Sequence, residues 1–153
     1  MSDRNAIVQA RLDRESQQAL NRLVRRLGWT PSQVVREGVE AVRDLERLLV
    51  TCEAVIAESC YLLRSVPGAA EAVLENLASG VFQTPLELAP SARAVGRLMQ
   101  KYCDVPIDLA DACLIHLAER MGTGDILTLD RDFEVYRWGV RRPSRLLIPL
   151  GNR

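Results

Sequence analysis

The sequence predicts an α/β fold, and three observations lead to it. Short apolar runs that read as buried strands alternate with helical patterns after residue 48, which is typical of a parallel sheet covered on both faces. Acidic residues stand where the carboxyl ends of such strands would meet. A strand and two helices take up the first 47 residues, and this segment has too little apolar surface to fold alone.

The elements of the first segment follow from periodicity and capping signals. Residues 7–12 alternate in the manner of a half-exposed strand. Asp13 is a candidate N-cap for a helix whose leucines recur at helical spacing until Gly28. Thr30 and Pro31 then begin a second helix, with Thr30 as N-cap and proline at the first helical position. The segment must therefore pair with something else.

The second segment begins without a linker. Its predicted strands are 48–51, 81–84, 125–129 and 145–149, and its predicted helices are 54–63, 68–79, 90–102 and 107–121. The strands are continuously apolar, which favours burial on both faces of a sheet.

Composition excludes a strongly basic nucleic-acid binder. The formal net charge is zero, so nucleic-acid binding must depend on local placement of charge or on an oligomer. The four cysteines form no CxxC pair and are interpreted as buried free thiols of a reducing compartment. Because there is no signal peptide and no long apolar run, we expect a cytoplasmic protein with no membrane association.

The acidic residues of the second segment predict a cation site. Asp108 and Asp111 share one face of a helix because they lie three apart. Asp130 closes the apolar run 126–129, which reads as a buried strand. Carboxylates meeting at the carboxyl edge of a sheet suit Mg²⁺, and the chemistry implied is phosphodiester cleavage by metal-activated water.

The first segment resembles the ribbon-helix-helix family of DNA-binding proteins. The resemblance rests on residues 11–15, the turn 28–32 and the helix 35–39. It implies an obligate dimer, or a higher even oligomer, that pairs residues 7–12 across a two-fold axis and binds DNA, here its own operator. The DNA-binding residues it implies are Ile7, Gln9, Arg11, Thr30 and Ser32, the first three toward the bases and the last two at a phosphate.

The second segment resembles PIN domains, in particular the ribonuclease toxins of bacterial toxin-antitoxin pairs. The motifs 55–58, 108–112 and 128–133 occur in the order and spacing of that family, and the likeness covers residues 48–150. It implies RNA cleavage that depends on Mg²⁺ or Mn²⁺. The implied catalytic residues are Glu58, Asp111 and Asp130, which would also bind the metal together with Asp108 and Asp132.

The chain departs from the PIN pattern at its start. PIN domains open with a central strand that ends in an aspartate, and here the ribbon-helix-helix segment stands in that place. The preferred division is therefore a ribbon-helix-helix segment, 1–47, followed by an incomplete PIN-like domain, 48–153, that lacks its first strand. There are two alternatives. Residues 7–12 could themselves be the central strand, with Asp13 as the first acid, or a second polypeptide could supply the strand.

Three functional hypotheses follow. The chain could be a dimeric, toxin-antitoxin-related DNA-binding protein whose PIN half has weak or no ribonuclease activity alone, which is the preferred hypothesis. It could be an active Mg²⁺-dependent endoribonuclease. It could also be half of an assembly completed by another chain.

Overall fold

The computed structural model describes residues 6–8, 48–105, 107–128 and 130–147. The main sheet has five strands in the order β3-β2-β1-β4-β7, and each pair of neighbours is parallel. The strands are β1 (Ala6–Val8), β2 (Leu49–Val50), β3 (Phe82–Gln83), β4 (Asp125–Leu127) and β7 (Arg145–Leu146). The predicted α/β class with a parallel sheet is therefore confirmed for this part of the chain.

Four helices lie between the strands of the second segment. They are α1 (Glu53–Leu62), α2 (Ala69–Ala78), α3 (Leu88–Lys101) and α4 (Leu109–Met121). Their bounds agree with the predicted helices to within two residues at each end. Within the described residues, no helix is long and apolar enough to cross a membrane.

The central position of the sheet is filled by β1. Ile7 is in register with Val50 on one side and with Ile126 on the other, and both pairings are parallel. The expectation that the sheet lacks its first strand is therefore wrong, because residues 6–8 of the same chain occupy that place. A strand with both edges paired in this way has no edge left for an antiparallel mate from a second copy.

Most of the predicted ribbon-helix-helix segment lies outside the described residues. This applies to its two helices and to four of the five predicted DNA-binding residues, namely Gln9, Arg11, Thr30 and Ser32. The fifth, Ile7, is a residue of β1.

The core lies on both faces of the sheet. Leu49 and Val50 are neighbours on β2 but belong to two different clusters of buried residues, because successive side chains of a strand point to opposite faces. One cluster includes most of α4, and the other includes residues of α1 and α2 such as Val73. Helix α4 is buried along nearly its whole length, so it holds its first turn firmly at the edge of the sheet.

A short hairpin follows the last acidic motif and was not predicted. It consists of β5 (Arg137–Trp138) and β6 (Arg142–Pro143), which pair antiparallel. Two-residue strands offer no alternation to detect. The Arg137 amide joins the hairpin to the rest of the fold by donating to the Tyr102 hydroxyl at 2.9 Å. Within the hairpin, Trp138 Nε1 donates to the Pro143 carbonyl at 3.1 Å.

We expect Gly124→Ala to destabilise the fold by about 1 to 3 kcal/mol, the usual range for overpacking a core. A Cβ at Gly124 would overlap the indole of Trp138, and a packed ring cannot move aside easily. Gly96→Ala is the matched control. A Cβ at this position inside α3 meets nothing within 4 Å, so the change should stabilise by about 0.5 to 1 kcal/mol. Urea unfolding of both variants measures the difference, and equal midpoints would contradict the packing of Trp138 on Gly124.

Candidate functional site

The first two acids stand at the start of α4. Asp108 is the N-cap of this helix, and its Oδ1 accepts a hydrogen bond from the Asp111 amide at 2.9 Å. Capping of this kind satisfies an amide that has no partner within the helix. Asp108 is half-buried, whereas Asp111 is completely buried. The cap therefore places one carboxylate at the helix end and a second one inside the fold.

The next two acids follow β4. The Asp130 amide donates to Thr128 Oγ1 at 2.9 Å, and Asp130 Oδ1 accepts from the Asp132 amide at 2.9 Å. Asp130 thereby caps a 3₁₀ helix, Arg131–Glu134. Both acids are half-buried. Because β4 is parallel to its neighbours, these residues lie at the carboxyl edge of the sheet, where ligands bind in open α/β folds.

Tyr136 joins the two pairs of acids. Its hydroxyl donates a hydrogen bond to Asp111 Oδ2 at 3.3 Å. Burial raises the pKa of the phenol, and the negative charges of Asp111, Asp132 and Asp130 raise it further, since each disfavours a phenolate. Three predicted site residues therefore act electrostatically on one hydroxyl group. The ring packs edge-on against Tyr102 and Phe133, with centroids 5.2 and 5.3 Å away.

Glu58, the remaining predicted catalytic acid, lies on α1 and is half-buried. Within the described part of the chain, no group of three or more His, Cys, Asp or Glu side chains is arranged to hold one metal ion. The prediction that Glu58, Asp111 and Asp130 bind one cation therefore stays a prediction. The donor chemistry fits a hard cation, because all of these ligands are carboxylate oxygens.

Sequence reasoning missed Tyr136. The only local signal is its place three residues after Phe133, just beyond the acidic motif. An aromatic residue at such a spacing is most often part of a core, and Tyr136 is indeed fully buried. Its contact with Asp111 joins residues 25 positions apart, so no local pattern could have indicated it.

We expect Tyr136→Phe to destabilise the metal-free fold by about 1 to 2 kcal/mol, because Asp111 loses a hydrogen-bond donor inside the protein. The variant should also respond differently to alkali. The folded state of the wild type favours the protonated phenol of Tyr136. The contribution of this phenol to the stability of the fold is therefore complete at pH values below the ordinary tyrosine pKa of about 10. It is lost as the pH rises above 10 toward the raised value in the folded state.

Denaturant unfolding between pH 8 and pH 11, in the presence of a chelator, measures both effects. The exposed Tyr61 supplies the control, since Tyr61→Phe removes a solvent-exposed hydroxyl from a residue outside the acidic motifs. Tyr136→Phe should have a flatter alkaline slope than wild type and Tyr61→Phe. The same slope in all three proteins would contradict the assigned contact.

Comparison with known proteins agrees with this arrangement. The PIN domain family matches residues 2–139, which includes β1, all four helices and both acidic motifs. Ribonuclease VapC26 of Mycobacterium tuberculosis is 40% identical over 94 residues, which cover 60% of this chain and 70% of the relative. With its parallel sheet, its acids at the start of α4 and after β4, and a family match over nearly the whole chain, this protein belongs to the PIN domain family.

Proposed function

We propose that this chain is a ribonuclease-type PIN protein of a toxin-antitoxin pair, with RNA as its substrate and weak or no cleavage when it acts alone. The proposed catalytic residues are Glu58, Asp111 and Asp130. The observation that carries the proposal is the buried Asp111 at the carboxyl edge of the sheet, hydrogen-bonded to a tyrosine on which Asp130 and Asp132 also act. Similarity to a ribonuclease supports the choice of substrate.

The proposed cofactor is Mg²⁺ or Mn²⁺, which Glu58, Asp111 and Asp130 would hold with help from Asp108 and Asp132. A cation between these carboxylates would reduce their mutual repulsion. When bound, such an ion activates water and stabilises charge on a transferring phosphoryl group. The contribution of Tyr136 is to orient Asp111 through the hydrogen bond of 3.3 Å.

The weakness of cleavage follows from the end of β1. The PIN resemblance places an aspartate where the central strand ends, but β1 ends at Val8 and is followed by Gln9. A neutral amide there contributes no charge to metal binding or to activation of water. We therefore expect metal binding to survive better than catalysis.

An active enzyme is the second candidate, and the position of β1 favours it. Since residues 6–8 are the central strand, Asp13 is the first acid after that strand and could complete the site. The family match over residues 2–139 likewise supports a single PIN domain, and not a division of the chain into two segments at residue 47. A second polypeptide that supplies the missing acid remains a further way to an active complex.

Thermal melting and RNA cleavage, measured on the same preparation, test these proposals. Mn²⁺ should raise the melting temperature, because an ion that binds only the folded state stabilises it by mass action. A rise without cleavage of a structured RNA supports the weak ribonuclease. A rise with cleavage that Asp13→Asn abolishes supports the complete enzyme. If Mn²⁺ does not raise the melting temperature and no RNA is cleaved, both proposals are contradicted.

DNA binding by a dimer is a separate proposal that rests on the sequence of residues 1–47. Nothing in the parallel pairing of β1 supports it, because Ile7 cannot face DNA bases while its strand is inside the sheet. If a second state of the segment binds the operator, Arg11→Ala should weaken binding by about 1 to 3 kcal/mol through loss of a base contact. A gel-shift titration on the chain's own promoter measures this, and equal affinity of variant and wild type would exclude the role of Arg11.

A further inference from the structure

The hairpin that follows the last acidic motif is rich in arginine. Residues 137–145 contain Arg137, Arg141, Arg142 and Arg145 and no acidic residue. Because the formal net charge of the whole chain is zero, this cluster is a local excess of positive charge. Residues 139–141 join β5 to β6, so the arginines lie on and beside one short hairpin.

Two of the four arginines serve the fold. Arg137 Nη1 donates to the carbonyls of residues 134–136 at 2.7 to 2.9 Å. Arg145 forms a bidentate ion pair with Asp125, which joins the start of β7 to the start of β4. Both guanidinium groups are therefore engaged with acceptors of the protein itself.

The other two arginines are available to a ligand. Arg141 and Arg142 are exposed, and neither has a carboxylate partner among the described residues. The Arg142 guanidinium lies over the Trp138 ring, 5.1 Å from its centroid, and a cation–π contact of this kind holds it in place. Val140, in the loop between the strands, is 88% exposed. The loop therefore presents two cations beside an apolar side chain.

Two tyrosines connect the base of this hairpin to the acids. Tyr136 precedes β5 and donates to Asp111 Oδ2. Its ring packs on Tyr102, whose hydroxyl accepts a hydrogen bond from the Arg137 amide. The exposed Lys101 places its Nζ 4.8 Å from the centroid of the Tyr102 ring. A third cation, from α3, therefore lies near the base of the hairpin.

The hairpin lies beside the acids and not among them. Trp138 lies against Gly124, which immediately precedes β4, whereas Asp130 follows that strand. A strand of three residues is about 10 Å long. Arg141 is five residues after Tyr136, so their Cα atoms are at most about 18 Å apart. A strand of RNA on the hairpin would therefore reach the acids within a few nucleotides.

We propose that the β5-β6 hairpin binds the phosphate backbone of single-stranded RNA through Arg141 and Arg142, and so holds the strand next to the candidate site. The inference rests on the proposed function, because it takes RNA as the ligand. The carboxylates of the candidate site repel phosphates, and a net charge of zero gives no general attraction. Cations outside the site must therefore supply the attraction for RNA.

The chemistry of the loop favours a single strand over a duplex. A guanidinium group binds phosphate with two parallel hydrogen bonds, and its planar face stacks on bases. Only unpaired bases can turn outward to stack on such a group or to contact an apolar side chain. Arg142, already flat on Trp138, presents its other face in this way.

The test is a fluorescence anisotropy titration of the full chain with a labelled single-stranded RNA. It is done in a chelator over a range of NaCl concentrations, so that neither metal nor cleavage contributes. Each phosphate contact on a single strand changes the slope of log affinity against log salt by about −0.7. Arg141→Ala with Arg142→Ala should therefore flatten the slope by about 1.4 and weaken binding roughly 25-fold at about 0.1 M salt.

Three variants control for charge and folding. Arg64→Ala with Arg120→Ala removes the same charge from exposed arginines outside the hairpin and should leave slope and affinity unchanged. Arg141→Lys with Arg142→Lys keeps the charges and should keep the slope. Arg141→Ala alone leaves the contact of Arg142 with Trp138 intact and should flatten the slope by about 0.7, so it carries the test if the double alanine variant does not fold.

The outcomes separate this inference from the proposed function. If wild type and the double alanine variant bind RNA with equal affinity and slope, the role of the hairpin is overturned and RNA stands as the substrate. If the double variant loses binding of poly-glutamate as much as binding of RNA, the hairpin recognises acidic chains in general, and its assignment to RNA is overturned. If wild type binds no RNA and Mn²⁺ does not raise its melting temperature, the proposed function fails and the inference fails with it.

Discussion

Asp111→Asn should abolish stabilisation by Mn²⁺ and should by itself raise the melting temperature of the metal-free protein. Asp111 is completely buried, and its charge acts on the same tyrosine oxygen as the charges of Asp130 and Asp132. Removing one of several like charges lowers their repulsion. It also removes a ligand from the proposed cation site, so the ion no longer favours the folded state.

The measurement is thermal melting of variant and wild type over a range of Mn²⁺ concentrations. At an ion concentration 100 times the dissociation constant, wild type should gain about 2.7 kcal/mol, which corresponds to a shift of roughly 5 to 10 °C for a domain of this size. The variant should shift by less than a degree or two. Asp104→Asn is the control, because Asp104 is exposed and lies outside the acidic motifs. An equal Mn²⁺ shift in both variants would contradict a site at Asp111.

Ile7→Pro should remove cooperative folding from residues 48–147, although it lies far from them in sequence. Every amide of a central strand faces a neighbouring strand, and Ile7 is in register with Val50 and Ile126. Proline has no amide hydrogen and its ring does not fit the middle of a sheet. We expect a loss of at least about 3 kcal/mol, from the broken ladder and from buried carbonyls left without donors. That is a large part of the stability of a typical domain.

Hydrogen exchange of peptides that cover β2 and β4 distinguishes the two accounts of the N-terminal segment. If residues 6–8 are the central strand, protection of both peptides should fall sharply in Ile7→Pro. If the segment is instead a separate ribbon-helix-helix unit, the variant should lose its dimer by light scattering while these peptides keep their protection. Ile7→Val serves as the control, since it keeps the amide and a β-branched side chain.

Much of the fold was predictable because its signals are local. The helices after residue 48 were placed to within two residues, since apolar periodicity is a property of neighbouring residues. The acids of the candidate site were predicted in the same way. Asp108 and Asp111 are three residues apart, which predicts a shared helix face, whereas in the structure Asp108 is the N-cap and the helix begins at Leu109. Asp130 follows an apolar run that predicts a strand.

The central strand shows where local reasoning failed. Residues 7–12 alternate between apolar and polar side chains, which indicates a half-exposed strand, and burial of Gln9 and Arg11 inside a sheet would be costly. The structure describes this strand over Ala6–Val8, and both Gln9 and Arg11 lie outside the described residues. The place of a strand in a sheet depends on which distant strands it pairs with, here those of Val50 and Ile126, and alternation within the strand does not reveal these partners.

What the sequence alone determined is the α/β class, the order of the four helices and the main-sheet strands after residue 48, and the acidic residues that lie next to them. These are consequences of periodicity, capping and strand ends, which operate over a few residues. Tertiary structure decided what fills the middle of the sheet and which group contacts Asp111. Each of these depends on a contact between residues far apart in the chain, such as Ile7 with Ile126 or Tyr136 with Asp111. Such contacts form only when the helices and strands pack, so no local pattern encodes them.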